Sequence, residues 1–106
     1  MALRSTLLTN VPASIFTSIG SSAITAMYFC NSGNVAVHVS VYAVPNGNIA
    51  GVSNAIYYEI PLAVNDTYVI DSEKLILDTG DSIQANILTP NVGTVRVVAT
   101  VSSIGV

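Results

Sequence analysis

Alternation with a period of two runs along most of this chain, and it decides the fold class. From Ser82 to Leu88, Ile83, Ala85 and Ile87 fall on one side, Gln84 and Asn86 on the other. From Asn34 to Val44, Val35, Val37, Val39 and Val41 alternate with Ala36, His38, Ser40 and Tyr42. From Thr94 to Ile104, Val95, Val97, Ala99 and Val101 alternate with Arg96, Val98, Thr100 and Ser102. Residues two apart share one face of a strand, so each segment reads as a half-buried strand. No window of ten residues has apolar spacing of 3.6, and Val, Ile and Thr are too dense for stable helix.

Two further segments are apolar on both faces: Ile24 to Cys30, and Ala55 to Leu62. They read as central strands, or as strands whose outer face meets a neighbour. Shorter strands are expected over Leu3 to Thr9, Ser14 to Ser18, Thr67 to Ile70 and Lys74 to Leu77. Turn signals separate them. Asn31-Ser32-Gly33-Asn34 fits a short hairpin. Pro45-Asn46-Gly47-Asn48 starts a longer loop reaching about Asn54, and Asp78-Thr79-Gly80-Asp81 is a tight turn. Pro90-Asn91-Val92-Gly93 opens a last hairpin. Eight or nine short strands in 106 residues indicate an all-β fold. The expected form is one small two-sheet antiparallel β-sandwich, jelly-roll-like, over residues 1–106.

Charge sets the function class. Only 8% of residues are charged, while 51% are apolar; a typical domain is about one quarter charged. Polarity comes instead from Ser, Thr and Asn. Such a chain either enters a membrane or covers much of its surface with neighbours. No run approaches the roughly 20 apolar residues of a spanning helix, and the short strands lack paired aromatic girdles. No membrane partner is expected. The opening Met1 to Asn10 lacks the apolar centre of a signal peptide, so the sequon Asn65-Asp66-Thr67 is expected to carry no glycan. Arg4, Lys74 and Arg96 are the only cations and the net charge is −3, too little for a nucleic-acid-binding stripe.

Catalytic parts are missing. His38, the one histidine, has no nucleophile or second ligand nearby in sequence. Gly51-Val52-Ser53-Asn54-Ala55 resembles a nucleophile elbow but lies between strands, without the helix that motif needs. Cys30 is alone and reads as a buried thiol. Asp66, Asp71, Glu73, Asp78 and Asp81 read as turn acids, with Asp78 and Asp81 as weak Ca²⁺ candidates. No enzyme and no cofactor are expected. The Tyr57-Tyr58 pair must send its rings to opposite faces, one into the core and one outward. Tyr57, Tyr58, Tyr42, Met27 and Phe29 are the candidate contact residues.

The opening Met1-Ala2-Leu3-Arg4-Ser5-Thr6-Leu7 is one of a set of segments with a family likeness. With it go Tyr28-Phe29-Cys30-Asn31, Val41-Tyr42-Ala43-Val44-Pro45, Ile56-Tyr57-Tyr58, Asp66-Thr67-Tyr68-Val69-Ile70, and Glu73 through Ile83. Together they resemble small structural proteins of tailed bacteriophages, notably those of marine and cyanobacterial hosts. The resemblance implies a non-enzymatic virion subunit, foremost a capsid decoration or cement protein, with neck, tail or baseplate as alternatives. Its implied partners are the major capsid protein or tail and neck subunits. Low charge adds an expectation of self-association, with a trimer favoured. A competing reading of another class is a carbohydrate- or receptor-binding module, using the Pro45–Asn54 loop or the acidic loops with Ca²⁺.

Overall fold

In a computed structural model of the chain, the described residues are 2–71, 75–88 and 95–105. They form nine strands: β1 (Ala2–Leu7), β2 (Ala13–Thr17), β3 (Ser22–Asn31), β4 (Val37–Val44), β5 (Ala55–Leu62), β6 (Thr67–Ile70), β7 (Leu75–Leu77), β8 (Ser82–Leu88) and β9 (Val97–Gly105). One 3-10 turn, Val52–Asn54, precedes β5. Lys74 lies outside the described residues, so the expected strand from Lys74 is seen only from Leu75.

Two antiparallel sheets pack face to face. One, sheet A, has the order β1-β9-β3-β6, with β7 also pairing β3. The other, sheet B, has the order β2-β8-β4-β5. The partners nest: β1 with β9, β2 with β8, β3 with β6 and β7, β4 with β5. This is one long antiparallel hairpin rolled up, with β6 and β7 as two pieces of a single return strand. That is jelly-roll connectivity, as the alternating pattern led one to expect.

The inner faces come from the alternation. Ile83, Ala85 and Ile87 of β8 are buried, as are Val97, Ala99 and Val101 of β9, and Val37, Val39 and Val41 of β4. They meet Phe29, Met27 and Ile24 of β3 in one core. Gln84 and Asn86 are half-buried on the other side of β8.

Two expected hairpins are not hairpins. β3 and β4 lie in different sheets, as do β8 and β9. Residues 31–34 therefore begin a crossover. The reason lies in Asn31, which is fully buried. Its amide Nδ2 donates to Val35 O (2.9 Å) and Leu62 O (3.3 Å), and its Oδ1 accepts from Gly33 N (3.0 Å). These bonds shape an arch instead of a tight turn. Pro90 to Gly93 lie outside the described residues, but the strands they join share no ladder. Among the described residues, the only consecutive strands that pair as a hairpin are β4 and β5, joined through the Pro45 turn, where Asn48 N donates to Pro45 O (3.0 Å).

The Asp78–Asp81 turn forms as expected, with Asp81 N donating to Asp78 O (3.0 Å). Gly80 there has φ +89, and a Cβ would sit 2.5 Å from Asn46 Cγ. Only glycine combines that backbone with that close approach.

Candidate interaction surface

The two outer faces of the sandwich differ in chemistry. Side chains of directly opposed residues share a face. On sheet A, Tyr28 stands opposite Thr100 and Val69, and Cys30 opposite Val98 and Thr67. Ala23 stands opposite Ile76 and Ile104. Leu3, Ser5 and Leu7 continue this face on β1, opposite Ser102, Thr100 and Val98. Leu3, Leu7, Val69 and Ile76 are exposed by 70, 59, 45 and 66%. Across the five strands of this sheet the one charged residue is Arg4. Its partner is inward-facing Val101, so Arg4 belongs to the other side of β1.

The hydroxyls on this face bond mainly to one another. Ser5 Oγ and Thr100 Oγ1 are 3.2 Å apart, and Thr25 Oγ1 donates to Ser102 Oγ at 2.9 Å. Hydroxyls already partnered lose little when water leaves. An apolar, charge-free sheet face of this kind is the usual mark of a contact surface.

Sheet B presents mainly amides and hydroxyls instead, with Leu88 exposed at one end. Ser14, Gln84 and Tyr42 share its outer face, as do Ser40 and Asn86. Tyr42 OH donates to Asn86 Oδ1 (3.0 Å), and Asn86 Nδ2 donates to Asn10 O (3.3 Å). His38 stands half-buried between Pro61 and Leu88.

The candidate contact residues separate. Tyr58 is 55% exposed, while Tyr57 packs partly against the core; their rings part as expected. Met27 and Phe29 are core side chains, 2 and 1% exposed. Their expected surface role is corrected: β3 alternates, and those two positions oppose inward-facing Val101 and Ala99. The outward residues of that strand are Tyr28 and Cys30. Cys30 is therefore exposed, contrary to the expected buried thiol. Tyr42 points outward yet is only 6% exposed. The 3-10 turn Val52–Asn54 lies against its strand.

Two of the acidic candidates, Asp81 and Asp66, accept backbone N–H groups in turns. Asp81 Oδ1 accepts Asn46 N (2.9 Å) and its Oδ2 accepts Asp78 N (3.0 Å). Oδ1 thereby ties the 45–48 turn to the 78–81 turn, and Oδ2 closes the latter. Asp66 Oδ1 accepts Thr67 N (2.9 Å); Glu73 lies outside the described residues. Among the described residues no cluster of three His, Cys, Asp or Glu side chains could hold a metal. In the Gly51–Ala55 segment, Asn54 Oδ1 accepts Gly51 N (3.0 Å) and Asn54 Nδ2 donates to Ile49 O (2.9 Å). Those bonds build a 3-10 turn, not the strand-to-helix elbow of a nucleophile. A cleft at the β5–β6 side is lined by Met27, Ile56, Tyr57, Ile70 and Leu75. Among the described residues its lining side chains are apolar apart from that of Tyr57.

Sequence reasoning missed Leu3, Leu7, Val69 and Ile76 as surface residues. Strand parity alone could not place them, because register decides the face. The available signal was the lack of charge in 22–31 and 97–105.

No protein-family model matches the chain, and no curated protein matches it. Among solved structures, one match is a chain of "Structure of infectious bursal disease virus Gx strain", at 16% identity and TM-score 0.39. It covers 97% of this chain and 29% of that one. A second comes from the Gt strain of the same virus, at 11% identity and TM-score 0.22, covering 96% of this chain and 38% of that one. This chain thus spans well under half the length of either.

Proposed function

We propose that the chain is a non-enzymatic structural subunit of a virus particle, packing against other virion proteins through the outer face of sheet A. The observation that carries this reading is that face: five strands with no outward charge and with exposed Leu3, Leu7, Val69 and Ile76. A protein present in many copies is largely interface, and apolar area without charge is what such burial favours. The jelly roll is a fold used by capsid proteins, and the resemblance to tailed-phage structural proteins points the same way. Within that class, decoration or cementing of the head against the major capsid protein is preferred over neck, tail or baseplate. Self-association as a trimer belongs to the same proposal. A carbohydrate site in the Pro45–Asn54 loop has less support, because its exposed large side chains are Ile49 and Val52 and not aromatic platforms.

The test is composition and contact together. Particles whose genome encodes this chain are purified and quantified by mass spectrometry, with Val69→Lys and Gln84→Lys variants compared. Many copies per particle are expected, with Val69→Lys lost from particles and Gln84→Lys retained. Absence of the wild-type chain from particles refutes the proposal.

A further inference from the structure

The four edges of a two-sheet sandwich are places where another chain could add a strand, and proteins normally block them. Three edges here are blocked. β5 carries two register shifts, Pro61, and Glu59 at φ 52. β2 has a register shift between Ser14 and Phe16. β6 and β7 are four and three residues long and are not continuous.

β1 carries one blocking feature, the charge of Arg4, and has no register shift, proline or break. Its six residues pair with β9 in unbroken register, and it contains no proline or glycine. Among the described residues, nothing pairs with its other side.

The orientation of its backbone follows from one bond. Leu8 N donates to Val97 O at 2.8 Å. Antiparallel ladders alternate, so Thr6 and Arg4 also bond toward β9. The N–H and C=O groups of Leu3, Ser5 and Leu7 therefore point away from the sheet.

We infer that β1 pairs antiparallel with β1 of a second copy, about a two-fold axis through Ser5, joining the two A sheets into one. The strand is self-complementary in that register. Ser5 meets its own counterpart, and Leu3 meets Leu7 of the other copy at both ends. All three are positions with outward backbone groups, so about six new ladder bonds form. Both apolar outer faces then lie on the same side of the joined sheet. Centring the axis on Arg4 would also match the hydrogen bonds, but it would set two guanidinium groups face to face. Centred on Ser5, each Arg4 instead faces Thr6. A second copy is thus the occupant that the strand itself specifies. This contact uses the backbone of β1, whereas the proposed virion contact uses side chains of the sheet face. It is two-fold, so it links trimers instead of building them.

The experiment combines mass and cross-linking in a Cys30→Ser background. Opposed residues of a hydrogen-bonded pair have Cα atoms about 5.5 Å apart, within disulfide reach. Ser5→Cys is expected to cross-link copies on oxidation. Leu3→Cys alone is not, since its two copies lie about 13 Å apart along the strands. Leu3→Cys mixed with Leu7→Cys is expected to cross-link. Ser5→Pro removes an outward N–H while leaving the β9 ladder intact, and it is expected to halve the assembled mass in light scattering with an unchanged circular dichroism spectrum. A wild-type chain that is monomeric at all concentrations, or Ser5→Cys that stays uncross-linked, overturns the inference. So does an assembled mass unchanged by Ser5→Pro. If Val69→Lys is still lost from particles in that last case, the virion proposal survives the failure of this one.

Discussion

Replacing Asn31 by alanine tests how the arch between the sheets is held. The side chain is wholly buried and makes three hydrogen bonds, to Val35 O, Leu62 O and Gly33 N. Two of these groups are only partly buried, and water can take over there. Each such loss costs about 1 kcal/mol. Leu62 is 1% exposed, and its carbonyl is left less accessible to water, at about 1–3 kcal/mol. The sum is roughly 3–5 kcal/mol, a large part of the total stability of a domain this size. Urea unfolding followed by circular dichroism measures it. The exposed Asn48→Ala serves as control and is expected to change stability by less than about 0.5 kcal/mol. Asn31→Asp keeps the shape but turns the donor into an acceptor facing two carbonyl oxygens. It is expected to cost more than alanine at neutral pH. A loss below about 1 kcal/mol for Asn31→Ala, or a milder effect for Asp than for Ala, would refute the reasoning.

Gly80→Ala is expected to lose about 1–2 kcal/mol, because the left-handed backbone disfavours a side chain and the new Cβ meets Asn46; thermal melting reads the loss, and a neutral result contradicts it. Asp81→Ala removes the staple to Asn46 N and Asp78 N and is expected to cost about 1–2 kcal/mol. If those oxygens serve as a staple and not as Ca²⁺ ligands, a chelator leaves the wild-type melting temperature unchanged; a fall on chelation counts against it.

Much of the fold was legible because β8 and β9 alternate so strictly. Ile83, Ala85 and Ile87 need burial, and Gln84 and Asn86 do not, so face follows from parity. The β6 limits, Thr67 to Ile70, could likewise be read directly. Sheet membership could not. Asn31-Ser32-Gly33-Asn34 has hairpin chemistry, but its outcome depends on Leu62, 31 residues further on, accepting the Asn31 amide. The contact surface was half legible for a similar reason. Ile24–Cys30 is apolar on both sides, which marked it as unusual. Which of Phe29 and Cys30 faces out depends on whether Ala99 or Val98 lies opposite, and that is a register set by the packed sheet.

Cys30 offers a direct test of the covered face, because it is the sole cysteine and sits exposed on it. The rate of its modification by a maleimide can be followed in purified virus particles and in the free chain. Coverage of the sheet A face predicts labelling at least tenfold slower in the particles. Equal rates in the two states, with the chain's presence in the particles verified by mass spectrometry, would contradict it.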